Sequence, residues 1–533
     1  MKNILQTDYV IQSGLVQALL SNLRNKAAVK NVRVVETHIS WVLLAGRYAY
    51  KIKKAVDLGF LNFSSLEARH FYCEEEIRLN RRLAPKVYLD VIAIGGSREH
   101  PVLGEPPAIE YAVRMRRFAA ARQMDRLAAR NKISPLHIDN LAATVARFHG
   151  NLPAVDINSP FGTADAVHKA AQQNFEQLQT LLTNKGDLDS LAALQRASEN
   201  EYAACQILFE QRRIQGFVRE CHGDLHLGNI VLMDEQAVPF DGIEFNPALR
   251  WIDTVSEVAF TAMDLQQHQR SALAYRFLNA YFAATGDYAG IRVLRFYMAY
   301  RAAVRAKVNA IRAAQPGLPA SEAEAARGNC HGLLKLAAAY FVRVQPKLII
   351  THGLPGSGKT TFSQIALERL QAIRLRSDVE RKRMFELDPL ADSRASTGLD
   401  LYSSEITRRT YAHLLELTRM LLAAGYTVIV DAAFIIQSER EPFRLLAQEL
   451  KVAFAIASIQ AGNETLRERI LQRHQAANDA SEADIAVLGR LLHAQQPLSQ
   501  QERACTADFV NEEAGLAADL TGWQRLYQLL GCK

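Results

Sequence analysis

One stretch, Leu348–Phe362 (LIITHGLPGSGKTTF), constrains the fold of this chain more than any other. A short apolar run leads into a glycine-rich turn and then a helix-forming run, and every fixed position of G-x-x-x-x-G-K-[ST] is filled. The glycines let successive backbone N–H groups point into one concavity, where the positive end of the helix dipole also acts. This arrangement predicts a cradle for the phosphates of a nucleoside triphosphate. The predicted members of the cradle are Gly353, Leu354, Pro355, Gly356, Ser357, Gly358, Lys359, Thr360 and Thr361.

Two side chains of this motif have specific expected tasks. Lys359 is expected to reach the β- and γ-phosphates, and the Thr360 hydroxyl is expected to ligate Mg²⁺. Around the motif, apolar strand-like runs alternate with helical patterns through residues 346–533. Such alternation predicts βαβ units and a parallel sheet, which is an α/β P-loop domain.

Two aspartates are predicted to lie beside the cradle, because functional groups collect at the carboxyl ends of parallel strands. Asp431 ends the apolar run TVIVD, so we expect it to hold Mg²⁺ or to contact the acceptor. Asp378 follows the strand AIRLRS, where a carboxylate can prepare an acceptor hydroxyl, and Arg381 one turn later can bind a phosphate. The alternative for Asp378 is a plain helix N-cap.

A second chemical feature lies far upstream, in the polar segment Cys221–Asp241 (CHGDLHLGNIVLMDEQAVPFD). Phosphoryl transfer requires a carboxylate that orients or accepts the proton of the attacking hydroxyl, and hard oxygen ligands for Mg²⁺. Asp224 and Asn229 have the spacing of the kinase catalytic loop, and Asp241 follows an apolar strand. We therefore predict Asp224 as the catalytic base and Asn229 and Asp241 as metal ligands. The alternative for His226 is a loop histidine that only satisfies local hydrogen bonds.

This segment resembles the catalytic loop of the aminoglycoside phosphotransferase and choline kinase-like family, whose signature reads H-G-D-x-H-x-x-N. The resemblance implies a protein-kinase-like, bilobal α+β domain with a small lobe at about 30–115 and a helical lobe at about 116–345. No clear G-x-G-x-x-G loop precedes the small-lobe lysine.

The same resemblance implies three further roles. Lys51 in the strand YAYKIK would pair with the α- and β-phosphates, with Lys53 on the same strand face as runner-up. Glu75 would be the ion-pair partner of that lysine, with Glu74 and Glu76 as close rivals. Asp253 would have a structural role.

The second half is similar to small P-loop kinases related to phage polynucleotide kinase, zeta toxins and gluconate kinase. The D-x-x-R spacing of Asp378 and Arg381 matches the base and substrate-binding arginine of the polynucleotide kinase. The label "AAA family ATPase" is also attached to such chains, but no arginine-finger sensor pattern of a remodelling ATPase is present. Relatives carry a helical lid whose arginines clamp nucleotide phosphates, and the candidates here are Arg469, Arg473 and Arg490.

Length and composition bound the remaining possibilities. A chain of 533 residues is too long to fold around one hydrophobic core, so more than one domain is expected. Pro346 marks the expected boundary between domains at 1–345 and 346–533. With 49% hydrophobic residues and no run of eighteen apolar ones, we expect a globular protein without membrane spans. No signal peptide is evident, and the six scattered cysteines indicate reduced thiols in a cytoplasm and argue against zinc. The net charge of +7 suits phosphate-rich ligands and permits nucleic acid without requiring it.

Together these features predict an ATP-dependent phosphotransferase with two MgATP sites, each moving a γ-phosphoryl group to a hydroxyl of a small molecule. Two alternatives stay open: a nucleic-acid 5′-hydroxyl kinase and a non-catalytic ATP-binding or ATP-hydrolysing regulator. The acceptors depend on pocket shape, which the sequence does not indicate, and neither does it indicate an oligomeric state.

Overall fold

The computed structural model of this protein describes residues 2–25, 32–59, 61–388, 391, 401, 403–476, 480–512 and 515–532, with the backbone alone at 2–8 and 473–476. The chain forms two compact units, Met1–Gln177 with Gln206–Asp264 and Leu178–Cys205 with Leu265–Lys533. The second unit therefore combines the P-loop half with helices that precede residue 345. The domain boundary at 345/346 stays a prediction. Within the described ranges, no helix combines the length and apolarity needed to cross a membrane.

The first unit is built on a six-stranded antiparallel sheet with the order β1-β2-β3-β6-β4-β5. Strand β3 has the alternating pattern YAYKIK and lies between β2 and β6. Its Ile52 joins a core that also holds Leu43 and Ile94. The strands are β1 (Arg33–Glu36), β2 (Ser40–Ala45), β3 (Tyr48–Lys53), β4 (Tyr88–Gly96), β5 (Pro101–Leu103) and β6 (Glu110–Arg116).

Helix α2 and a polar loop segment carry the chemistry of the first unit. Ser65 caps α2 by accepting a hydrogen bond from the Ala68 N–H at 3.1 Å. The hairpin β8–β9 pairs Ile230 with Pro239, so the residues just outside it, Asn229 and Phe240, lie at the same end. The further strands are β7 (Val218–Glu220), β8 (Ile230–Met233), β9 (Gln236–Pro239) and β10 (Trp251–Asp253).

The helices up to residue 267 fall wholly or partly in the first unit, and α5, α6 and α8 extend across its limits. They are α1 (Lys2–Asn25), α2 (Leu66–Asn80), α3 (Met124–Ala129), α4 (Pro135–Asn151), α5 (Ala164–Leu181), α6 (Lys185–Ile214), α7 (Pro247–Arg250) and α8 (Thr254–Gln267).

The second unit contains a five-stranded parallel sheet with the order β12-β13-β11-β14-β15. The parallel register places Arg376 of β12 beside Asp431 of β13, so both strands end at the same edge. Phe362 of the P-loop helix stacks on Trp523 in the core against this sheet. The strands are β11 (Lys347–His352), β12 (Ile373–Arg376), β13 (Val428–Asp431), β14 (Ala453–Gln460) and β15 (Thr506–Val510).

The helices of the second unit include three that precede the P-loop strand. They are α9 (Ser271–Thr285), α10 (Ile291–Ala313), α11 (Ala320–Ala339), α12 (Lys359–Leu370), α13 (Ser377–Arg383), α14 (Ser404–Ala423), α15 (Gln437–Glu449), α16 (Asn463–Ala476), α17 (Ile485–Ala494), α18 (Gln500–Ala504) and α19 (Leu520–Leu529).

These elements confirm the predicted fold class, an α+β part with an antiparallel sheet followed by an α/β part with a parallel sheet. Some local details differ from the sequence prediction. Strands β5 and β10 were not predicted. Helix α13 begins at Ser377 with Arg376 as its N-cap, so Asp378 lies inside the first turn and the plain N-cap interpretation is wrong.

Candidate functional site

The P-loop turn has the backbone conformation of a phosphate cradle. Gly353 and Gly358 have φ angles of +154° and +100°, which side-chain-bearing residues rarely adopt. A Cβ at Gly353 would lie 2.4 Å from the Ile459 carbonyl oxygen, so the turn leaves no room for another residue. The Lys359 ammonium donates to the Leu354 carbonyl at 2.9 Å, which holds this side chain across the turn. The Ser357 hydroxyl is buried and has no hydrogen-bond partner among the described residues.

A cavity of about 330 Å³ opens beside this turn, and most of the predicted site residues of the second half line it. It brings together residues that lie far apart in the chain. The predicted residues that line it are Pro355, Gly356, Gly358, Lys359, Thr360, Thr361, Asp378, Arg381, Asp431, Arg469 and Arg490. The sequence prediction that Asp378 and Asp431 lie beside the cradle is thus confirmed.

Asp378 is held as an anion. Its Oδ1 accepts a hydrogen bond from Nη1 of Arg381 at 2.9 Å, one turn along α13. Burial alone would raise the pKa of the Asp378 carboxyl, but the charges of Arg381 and Arg376 lower it below the ordinary value. An ionised carboxylate at the cavity wall can accept the proton of a bound hydroxyl or orient it.

Asp431 and Thr360 are suited to a magnesium ion. Both line the cavity, and hydroxyl and carboxylate oxygens are ligands that Mg²⁺ prefers. Asp431 is nearly buried, and its Oδ2 accepts a hydrogen bond from the Ser363 hydroxyl at 2.8 Å. The donor set and the glycine cradle together fit MgATP bound through its phosphates.

The predicted lid arginines differ in their positions and contacts. Arg469 donates to the carbonyl oxygens of Gly356 and Asn511 at 3.4 and 3.1 Å, so its guanidinium lies on the P-loop backbone. Arg490 lines the cavity from α17. The side chain of Arg473 lies outside the described residues.

Two cavity residues, Tyr411 and Glu439, were missed by sequence reasoning. The Tyr411 hydroxyl accepts from the Phe434 N–H at 3.1 Å and lies beside the Glu439 carboxylate. The Oε2 atom of Glu439 is buried without a hydrogen-bond partner among the described residues. Burial raises the pKa of this carboxyl. Both residues lie on ordinary amphipathic helices, so the sequence carries no signal for them.

In the first unit, two lysines of β3 form a buried cluster with three carboxylates. The Lys51 ammonium lies 2.8 Å from Oε1 of Glu76 and 2.5 Å from Oδ1 of Asp241. The Lys53 ammonium lies 2.7 Å from the other oxygen of Glu76 and also contacts Glu244. Burial alone would raise the pKa of the Glu76 carboxyl, but Lys51 and Lys53 lower it to about 2. Glu76 therefore joins both candidate phosphate-binding lysines.

The prediction that Glu75 is the ion-pair partner of Lys51 is wrong, because Glu76 has that position. Successive residues of a helix point about 100° apart, so only one of the three adjacent glutamates can face β3. Glu75 instead pairs with Arg78 at 2.8 Å and lies 3.5 Å from Arg250. Lys53, the runner-up to Lys51, belongs to the same cluster but is completely buried.

The predicted catalytic loop brings Asp224 and Asn229 into direct contact. The Asn229 amide donates to Oδ2 of Asp224 at 2.9 Å, and the His226 ring nitrogen Nε2 lies 3.3 Å from the same oxygen. Asp241 has a left-handed φ of +64°, and its N–H donates to the Tyr88 hydroxyl at 3.0 Å. The β8–β9 hairpin thus places Asn229 and Asp241 at one end of the loop.

Glu257 of α8, which sequence reasoning missed, holds the backbone of this loop. Its two oxygens accept from the N–H groups of His222 and Gly223 at 3.0 and 2.7 Å. Oε1 also lies 3.1 Å from Nε2 of His149. Atoms of His149, Cys221 and Glu257 that could ligate a metal ion lie within 4.8 Å of one another. However, both Glu257 oxygens already accept the hydrogen bonds described above.

Asp253 has the structural contacts that the family resemblance implies. Its carboxylate forms a bidentate ion pair with Arg212, at 2.7 and 2.8 Å, and also accepts from the Val255 N–H at 2.9 Å. All these partners lie within the first unit. The residue caps the start of α8 and does not belong to the Asp224 cluster.

Comparisons with known proteins agree with the P-loop assignment. Residues 348–498 match the family model described as an AAA domain. An uncharacterised protein of Mycobacterium tuberculosis H37Rv is 29% identical over 458 residues, covering 85% of this chain and 89% of that protein. An uncharacterised protein of Mycobacterium bovis gives the same values.

Solved structures with some similarity include two kinases. A choline/ethanolamine kinase family protein from Mesorhizobium loti has a TM-score of 0.37 and 14% identity, covering 61% of this chain and 99% of that one. A putative kinase from Chloroflexus aurantiacus has a TM-score of 0.28 and 21% identity, covering 35% of this chain and 97% of that one. Because both scores are below 0.5, the proposals below rest on this chain's own residues.

Proposed function

We propose that this protein is an ATP-dependent phosphotransferase with two MgATP sites, each transferring the γ-phosphoryl group to a hydroxyl of a small molecule. The observation that carries the proposal is one cavity of the second unit, which combines a phosphate cradle, Lys359, two candidate metal ligands and the Asp378–Arg381 pair. A cradle alone would suit a motor or a switch. An ionised carboxylate facing the cradle across a cavity suits a kinase, because it can serve an acceptor hydroxyl.

In the second unit, the P-loop amides and Lys359 bind the phosphates, and Thr360 and Asp431 would hold Mg²⁺. A magnesium ion held by these oxygens would supply positive charge against the negative charge that develops on the phosphates during transfer. Asp378 accepts the proton of the acceptor hydroxyl, and Arg381 keeps this carboxylate ionised and oriented. Arg469, which contacts the P-loop backbone, is placed to bind a phosphate oxygen.

In the first unit, Asp224 takes the proton of its acceptor, and Asn229 and Asp241 would hold Mg²⁺. Lys51 would bind phosphate oxygens while Glu76 fixes its ammonium group. The contacts among Asp224, Asn229 and His226 support this proposal, because they orient the carboxylate before any ligand arrives.

The test uses Asp224→Asn and Lys359→Ala, made singly in the full chain. Radiolabelled ATP is offered with sugars, aminoglycosides, nucleosides and 5′-hydroxyl oligonucleotides, and label on the acceptor is measured. Asp224→Asn should reduce transfer to one set of acceptors by about 10²–10⁴-fold, which is the usual contribution of a catalytic base. Lys359→Ala should reduce transfer to another set by at least about 100-fold.

Two controls accompany these variants. Asp234→Asn changes an exposed carboxylate in the hairpin turn after the catalytic loop, and Lys335→Ala changes an exposed lysine on α11. Full transfer by both site variants on every acceptor of the unmodified protein would refute the proposal. Label on oligonucleotides alone would favour a nucleic-acid kinase, and ATP hydrolysis without transfer would favour a regulator.

A further inference from the structure

Helix α9 completes the open edge of the parallel sheet. Strand β12 is the edge strand, and such strands normally present unpaired backbone groups. Here the Asn279 amide donates to the Ala372 carbonyl at 2.8 Å, and its oxygen accepts from the Arg374 N–H at 2.6 Å. Asn279 is buried, with 4% of its surface exposed. One side chain thus takes the place of a neighbouring strand where β12 begins.

Further contacts tie α9 to the two helices that flank the P-loop cavity. Arg276 forms an ion pair of 2.7 Å with Glu368 of α12, the P-loop helix. Arg383 of α13 donates to the Ala283 carbonyl at 2.5 Å, near the end of α9. Gly286 caps α9 with a φ of +75°, and a Cβ there would lie 2.6 Å from the Arg383 guanidinium. Helix α9 is therefore an integral part of the P-loop fold.

The side chain of Arg374 continues this network toward the metal-ligand candidates. Its Nη1 donates to the Ser363 hydroxyl oxygen at 3.2 Å, and that hydroxyl lies 2.8 Å from Oδ2 of Asp431. The single hydroxyl proton of Ser363 has two acceptors within reach, the Thr360 carbonyl at 3.1 Å and the Asp431 carboxylate at 2.8 Å, and the shorter, charge-assisted bond to Asp431 is the stronger one. The positive charge of the buried Arg374 guanidinium also interacts directly with the Asp431 carboxylate.

We propose that Asn279 and Arg374 are positioning residues for the magnesium site: Asn279 fixes β12, and Arg374 orients Asp431 through Ser363. This inference rests on the proposed function of the P-loop site and extends it to a helix outside the P-loop half. Outer residues that orient a metal ligand typically change metal affinity by about 10–100-fold when they are replaced. A carboxylate held in one orientation would bind the ion more tightly than a freely rotating one.

The experiment measures how binding of a fluorescent ATP analogue to the full chain depends on Mg²⁺ concentration. Only the fraction of binding that Lys359→Ala removes is counted, which isolates the P-loop site. Arg374→Met and Ser363→Ala should each raise the half-saturating Mg²⁺ concentration by about tenfold, with little change in analogue affinity at saturating Mg²⁺. Asn279→Asp keeps the acceptor for Arg374 and loses the donor for Ala372, so a shift of about threefold is expected.

A conservative variant and a matched control separate positioning from general stability. Arg374→Lys keeps the charge and should recover part of the affinity for Mg²⁺. Asn309→Ala removes an asparagine of α10 whose amide donates to the Arg305 carbonyl of its own helix, and it should change nothing. If Arg374→Met and Asn279→Asp lower thermal stability but leave the Mg²⁺ midpoint unchanged, the inference is wrong. If no binding depends on Lys359, the proposed P-loop site itself is wrong.

Discussion

The two candidate nucleotide sites differ in how their buried polar groups are satisfied. In the first unit, Lys51 and Lys53 contact Glu76, Asp241 and Glu244, so each buried charge has an opposite charge beside it. At and beside the P-loop site, some buried polar atoms have no hydrogen-bond partner among the described residues. Examples are Ser357 Oγ, His352 Nε2 and Glu439 Oε2.

Under the proposed function, this difference predicts two ways of binding the same kind of ligand. In the first unit, the candidate phosphate-binding lysine, Lys51, and a candidate metal ligand, Asp241, form an ion pair of 2.5 Å with each other. MgATP would have to replace that contact, which would offset part of its binding energy. At the P-loop site, unpartnered groups lie beside the cradle, and leaving such groups unpaired costs about 1–3 kcal/mol each. Of these groups Glu439 lines the cavity, so a hydrogen-bond donor of a ligand bound there could pair with it, whereas the charges of the first site are already paired within the chain.

The comparison is tested most strongly by Glu76→Gln. This change removes the charge shared by two buried lysines, and breaking a buried ion pair typically costs about 3–5 kcal/mol. Hydrogen exchange of the β2, β3 and β6 amides should show a loss of that size in the free energy of opening. Glu75→Gln, on the same helix, should cost about 1 kcal/mol or less, because Arg78 is half exposed and Arg250 keeps its ion pair with Glu220. Equal losses would contradict the assignment of Glu76 as the central charge.

A second test concerns His352, the last residue of β11. Burial lowers the pKa of this imidazole to about 4. Between pH 6.5 and 4 the unfolded chain binds a proton that the folded chain does not, so stability falls as pH falls through this window. The loss should approach about 3 kcal/mol, at 1.36 kcal/mol per pKa unit.

His352→Leu should remove this pH dependence from the opening free energy of β11, measured by hydrogen exchange corrected for its intrinsic pH dependence. Replacing His493, an exposed histidine of α17, by Leu serves as the control. If both variants lost the same pH dependence of the opening free energy, the effect would not come from the buried imidazole.

The two sites also differ in how far the sequence could predict them. The P-loop cradle lies within fifteen consecutive residues, so its spacing alone predicts its geometry. In contrast, Lys51 and Asp241 meet across 190 positions of the chain. Their contact depends on the sheet, on α2 and on the β8–β9 hairpin at once. The family motif predicted Asp224, Asn229 and Asp241, but the rotation of α2 about its axis decided between Glu75 and Glu76.

Residues without a motif were beyond sequence reasoning at both sites. Glu257 holds the catalytic loop and Asn279 holds the edge of β12, yet each is one polar residue on a helix. Their partners are backbone groups, which leave no mark on the sequence. Strand order and helix packing had to be known before either role was visible.

A third test concerns Arg469, which contacts the P-loop backbone. If it also binds a phosphate oxygen, Arg469→Ala should weaken binding of the ATP analogue at the P-loop site by about tenfold, or about 1.4 kcal/mol. Arg467, exposed two residues earlier on α16, provides the matched control, and Arg467→Ala should leave affinity unchanged. Equal effects of the two substitutions would indicate a general effect of positive charge and would contradict a specific phosphate contact.

The smallest predicted effect concerns Glu439 and has the opposite sign. Burial raises the pKa of the Glu439 carboxyl. Above the ordinary pKa of a glutamate, ionisation of this carboxyl therefore costs more in the folded chain than in the unfolded chain and lowers stability. Below that pKa the carboxyl is protonated in both states and the cost is absent. Glu439→Gln removes the charge at nearly constant shape and should stabilise the second unit by about 1 kcal/mol at neutral pH. The gain should vanish on acidification, when the carboxyl is protonated in both states.

The Glu502→Gln variant gives the contrast. Arg440 forms an ion pair with the buried Glu502 carboxylate, so loss of this carboxylate should destabilise the unit. A Glu439→Gln variant less stable than the unmodified protein at neutral pH would show that this carboxylate is compensated, and the contrast between the two sites would not hold.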